Sequence, residues 1–102
     1  MRLKKETTLR SYIIAFNNYA DDRDKVIRIL DEHRLRIWRS EIPGCVMLNT
    51  INTAKEVRDI LVSQMNGRFI VAEISGNRSG MMTMECWDFL SSSRKAKVVY
   101  EE

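Results

Sequence analysis

"CVMLNTINTAKEVRDILVSQMNGRFIVAEIS", Cys45 to Ser75, changes period twice, and those changes decide the fold. "CVMLNT" is apolar enough for a core strand. Thr53 followed three residues later by Glu56 is a capping box, in which side chain and backbone satisfy each other's first-turn groups. Val57, Ile60, Leu61 and Met65 then form one apolar stripe at helical spacing, and Asn66-Gly67 supplies a left-handed stop. In "RFIVAEIS" the period drops to two. Phe69, Val71 and Glu73 share one side; Ile70, Ala72 and Ile74 share the other. The segment is strand, helix, strand.

Upstream the same order occurs. "SYIIAFN", from Ser11, mixes aromatic and β-branched residues as a central strand does. "DRDKVIRILDEH" follows, with Val26, Ile27 and Leu30 at helical spacing. Asp21 or Asp22 is the natural N-cap, and Asp24 suits the positive first turn. "LRIWRSEIPGC" is an alternating stretch broken by Pro43-Gly44. Leu35, Ile37 and Arg39 fall on one side; Arg36, Trp38 and Ser40 fall on the other.

Downstream, "GNRSG" is a glycine-bounded turn. "MMTMECWDFL" suits a helix through Met and Leu, and a strand through Thr83, Cys86, Trp87 and Phe89. "AKVVYEE" has the composition of a short terminal strand. The organisation is a flexible basic lead-in over 1–10, one domain over 11–90, and a tail over 91–102. Strand-helix-strand, twice, predicts an α+β, ferredoxin-like split β-α-β domain: an antiparallel sheet with two helices on one face. The other face then needs cover. Met81, Met82, Met84 and Trp87 are the candidates to close a homodimer there or to lie over the sheet.

The chain has 102 residues, 44% of them apolar and 30% charged, enough for one core without staples. No apolar run reaches the roughly eighteen residues of a membrane span. "MRLKKETTLR" lacks the apolar stretch of a secretory signal. Cys45 and Cys86 stand far apart and His33 is the sole histidine, which argues against zinc and for reduced thiols in a cytoplasmic protein. A net charge of +3 permits nucleic acid without requiring it.

With "SYIIAFNN" as first strand, "TAKEVRDIL" as second helix and "RFIVAEISG" as the next strand, the plan resembles the small ferredoxin-fold, ribonuclease-like subunit of CRISPR systems. It also resembles that subunit's toxin and antitoxin relatives. The resemblance implies a dimer handling RNA or DNA. It also implies a first strand ending in an aromatic and an aspartate, whose two copies hold a divalent metal near the dimer axis. The matching pair here is Phe16-Asn17. A neutral amide brings no charge to magnesium, which wants at least one carboxylate. Asp21 and Asp22 are the nearest substitutes, and capping explains them better. Weak or absent catalysis is therefore expected; a metal-dependent endonuclease is the alternative.

Arg34, Arg36 and Arg39 beside Trp38 are the candidate nucleic-acid residues, since interleaved cations and an aromatic can hold backbone and stack a base. A solvated, aggregation-resistant edge is the plainer account. Lys4, Lys5, Arg10, Arg94, Lys95 and Lys97 would extend such a surface. His33 suits a helix end, and Ser40, Ser75 and Ser79 have no nucleophile-elbow context. "GNRSG" is not a Walker loop, though Arg78 is placed to touch a phosphate. The competing function is an antitoxin-like or adaptor module that binds a protein through the sheet.

Overall fold

The structure, a computed structural model, describes residues 4–17, 22–65, 67–74, 79–92 and 96–100, with backbone alone at 4–8, 92 and 96–100. In chain order the elements are β1 (Lys4–Thr8), β2 (Arg10–Phe16), α1 (Asp22–Glu32), β3 (Trp38–Arg39), β4 (Cys45–Thr50), α2 (Ala54–Val62), β5 (Phe69–Ile74), α3 (Met84–Ser92) and β6 (Ala96–Tyr100). The main sheet runs β3-β4-β2-β5, every neighbouring pair antiparallel. This is the strand order of a ferredoxin-like fold, with β2 and β4 central. β1 and β6 form a separate antiparallel ribbon, and only Leu9 divides β1 from β2.

Strand parity sorts the side chains. Ile14, Val46, Leu48 and Val71 share one face with buried Tyr12, and with Val26, Ile29, Leu30, Val57 and Leu61 of α1 and α2 these four build the larger core. Burying an aliphatic side chain of this kind contributes about 1.5–3 kcal/mol. The opposite parity, Ser11, Met47, Asn49 and Ile74, faces α3, where Met47, Cys86 and Leu90 form a second buried cluster. Residues 84–92 are thus a helix laid over the second face, and Met81 and Met82 precede it. The two expected helices cover one face, and this third covers part of the other.

The local signals explain the boundaries. Thr53 accepts from the Glu56 amide at 3.2 Å while Glu56 accepts from the Thr53 amide at 2.8 Å, so the capping box is present in full. Pro43-Gly44 makes the hairpin turn: Cys45 donates to the Ile42 carbonyl at 3.1 Å, and Gly44 sits at φ 79°, open to glycine without strain.

Two expectations need correction. α2 ends at Val62, with Ser63 as a right-handed cap and a turn in which Met65 donates to Leu61 at 2.9 Å. Gly67 is not left-handed, and Asn66 lies outside the described residues. Met65 reaches the core from that turn rather than from the helix.

The second correction concerns residues 35–40. Only Trp38 and Arg39 form strand, and Trp38, opposite Leu48, packs on the larger core, while Ile37 is 49% exposed. Leu35 packs on the larger core as well, but Ile37 does not; Trp38 takes the inward place, because the large indole gains more by burial than isoleucine and its N–H finds Asp31 Oδ1 at 3.0 Å.

Candidate functional site

The four candidate nucleic-acid residues divide into two pairs. Arg34 and Arg36 are exposed and line one cleft of about 320 Å³ with His33, Thr50 and Asn52. Trp38 and Arg39 point to opposite faces of the sheet, and both are engaged. The indole lies on the larger core with its N–H on Asp31; the Arg39 guanidinium bonds Glu41 at 2.8 Å. No stacking platform with cations on both sides results.

Arg34 has a structural task as well. It occupies φ 62° at the end of α1, where Leu35 donates to the Leu30 carbonyl at 2.8 Å and Arg34 to the Asp31 carbonyl at 3.1 Å. Those two bonds are a Schellman motif, whose left-handed position glycine usually takes. His33 stands just before it with Nδ1 2.9 Å from the Ile29 carbonyl. A carbonyl only accepts, so this nitrogen carries the proton. The helix-end role expected for His33 matches this placement.

The candidate metal residues do not converge. Asn17 follows β2, and its amide nitrogen lies 3.5 Å from where a side chain on Gly67 would begin. Asp22 is the first residue of α1, and Asp21 lies outside the described residues. Among the described residues no three acidic, histidine or cysteine groups gather to hold an ion. A lone neutral amide does not fit magnesium, so no reaction step is drawn through one. The readings of Ser75, Asn77, Arg78, Arg94 and Lys95 lie outside the described residues, as do those on the side chains of Lys4, Lys5 and Lys97.

α3 is fastened at both ends. At its start Thr83 accepts from the Cys86 amide at 3.2 Å and donates to Glu41 Oε1 at 2.8 Å. The Thr83 hydroxyl and the Arg39 guanidinium hold the Glu41 carboxyl below the usual carboxylate range, and Arg39 is raised in turn. Burial, reinforced by nearby Glu41, pushes the Cys86 thiol up; it donates to Met47 Sδ at 3.7 Å. At its far end Asn49 Nδ2 donates to the Phe89 carbonyl at 2.7 Å, while Ser11 donates to Asn49 Oδ1 at 2.6 Å. Of the Met-rich candidates, Met82 and Trp87 pack against this cluster, whereas Met81 and Met84 are 97% and 79% exposed.

The surface that the sequence reading passed over is the β5 edge. β5 pairs with β2 on one side and ends the sheet on the other. Its six residues contain no lysine, no proline and one charge, Glu73, so the usual protections of an edge strand are missing. Ile70 is 61% exposed. Beside the edge, between β5 and α2, runs a groove of about 590 Å³ floored by Ala54, Val62, Phe69 and Val71. Lys55, Arg58 and Arg68 stand around it. On the second face an apolar hollow of about 310 Å³ lies between Ile13, Ile42, Met47, Met81 and Trp87. The ferredoxin-like order predicted from sequence already places "FIVAEI" at the end of the sheet; the groove beside it was not visible.

No family model, curated protein or solved structure matches this chain. Among the described residues no helix is long and apolar enough to cross a membrane.

Proposed function

We propose that this chain is a protein-interaction module that works through its sheet. The observation carrying this reading is the β5 edge: six apolar-rich residues at the end of the sheet, with an apolar groove and a basic rim alongside. Such an edge takes up an extended strand through backbone hydrogen bonds, and a neighbouring groove gives side-chain selectivity. A cytoplasmic setting belongs to the proposal, supported by Cys45 and Cys86, both free thiols.

A second reading keeps one specific support. A nucleic-acid role, as in the CRISPR subunit that the element order resembles, draws on Arg34 and Arg36 sharing one cleft. Two cations give a weak footprint, because each phosphate neutralised adds only about one unit to the salt slope.

The two are separated by fluorescence anisotropy with labelled single-stranded RNA and duplex DNA at about 50 mM salt. The module reading expects no saturable binding up to about 100 μM protein, the weak end of non-specific affinity. Saturable binding that falls with salt, and loses slope in the Arg34→Ala/Arg36→Ala variant, would overturn it.

A further inference from the structure

We infer that the occupant of the β5 edge is β5 of a second copy, paired antiparallel across a two-fold axis to give one continuous eight-stranded sheet. The inference deepens the module reading and rests on it. Three observations carry it.

First, the edges of the main sheet are unequal. β3, at the far end, has only two residues, one of them Arg39, and offers almost no ladder. A main sheet with one usable edge pairs once there and closes, so a two-fold pair consumes that edge without extending the sheet into a fibre. This answers why the edge carries so little protection.

Second, the strand fits itself. Continuing the sheet keeps each face on its own side, so opposed residues must share parity. Centring the pair on Val71 sets Ile70 opposite the partner's Ala72 and Phe69 opposite the partner's Glu73. Ile70, more than half exposed in a single copy, is then covered.

Third, the charges complement. Glu73 lies on the face that carries α1 and α2, across from Tyr12, and makes no ion pair among the described residues. In the Val71 register the partner's Glu73 arrives beside Phe69, at the end of the groove flanked by Arg58 and Arg68. Arg58 stands one turn before Val62, from which the chain returns into β5. Among the described residues Arg68 makes no ion pair and Arg58 pairs only with exposed Asp59. The contact forms twice by symmetry.

A six-residue ladder makes a small interface, and its dissociation constant belongs on the order of 10 μM. Sedimentation equilibrium of the full chain is expected to show a monomer–dimer equilibrium in that range, with amide exchange in 69–74 slowing as concentration rises. Glu73→Lys should weaken the dimer by about tenfold or more through like charges at the groove. Ile70→Lys should do the same by placing a gatekeeper on the edge. Both positions are exposed, so circular dichroism should confirm that both variants fold. Adding Arg58→Glu and Arg68→Glu to Glu73→Lys should restore dimerisation.

A chain that stays monomeric at its highest soluble concentration, or a dimer indifferent to both lysine substitutions, overturns the inference. Neither result touches the module reading, which falls instead if the nucleic-acid assay is positive.

Discussion

Replacing Asn49 by alanine tests whether α3 is held by a polar clamp or only by its apolar face. Asn49 is 2% exposed and bonds the Phe89 carbonyl at 2.7 Å and the Ser11 hydroxyl at 2.6 Å. Alanine removes both bonds and takes the amide partner from a carbonyl in the last turn of α3. The Ser11 hydroxyl keeps only its longer approach to the Leu90 carbonyl, at 3.5 Å. Losing the bond to the Phe89 carbonyl costs about 0.5–1.5 kcal/mol and depriving the buried Ser11 hydroxyl of its short partner about 1–3 kcal/mol, which together give about 2–4 kcal/mol. That is a large share of a stability of about 5–15 kcal/mol.

The loss should also be local. Exchange over residues 84–92 should accelerate before the main sheet opens, and Trp87 emission in a Trp38→Phe background should shift to the red. Ser11→Ala alone should cost about 1 kcal/mol, but less in the Asn49→Ala background, because the orphaned hydroxyl is then gone. Urea unfolding followed by circular dichroism gives the energies. An Asn49→Ala variant within about 0.5 kcal/mol of the parent, with α3 exchange unchanged, would refute the clamp and leave apolar packing as its sole anchor.

Arg34→Gly should stabilise the protein by about 0.5–1 kcal/mol, since relief of a left-handed penalty of about 1–2 kcal/mol outweighs glycine's backbone entropy. Arg34→Ala, which keeps a Cβ, should show no such gain in urea midpoint. Glu41 titrates below its ordinary range when folded, held there by Thr83 and Arg39. Its contribution is therefore present above the unfolded carboxylate pKa and is lost as pH falls through the folded value. Protection of the first turn of α3 should fade in that acid window, and Glu41→Gln should flatten the dependence in exchange measured across pH.

Much of the framework was legible because its signals are local. Thr53 and Glu56 lie three residues apart, and Pro43-Gly44 specifies its own turn. What the sequence hid depends on contacts between distant segments. Trp38 turned inward because Asp31 and the larger core were there to receive it. Residues 84–92 became helix because Thr83 caps them and their Cys86 and Leu90 find Met47 on the sheet. The polar Asn49 inside "CVMLNT" was the one visible hint of that docking, since a buried amide needs partners. Among the candidate site residues, Arg34 and Arg36 meet in space, whereas Trp38 and Arg39 diverge by strand parity.

The ribbon of β1 and β6 gives the molecule a mechanical polarity. Lys4 stands opposite Tyr100 and Thr8 opposite Ala96, so a pull applied at residues 4 and 100 meets the ladder at its open end. The rungs are then loaded one after another rather than together, and each yields alone. Tension travels to Leu9, 9% exposed, before it reaches β2 and the core. Stretched between those two points, the chain pays out ten ribbon residues at low force as a compliant spring, while the four-stranded sheet stays intact behind it.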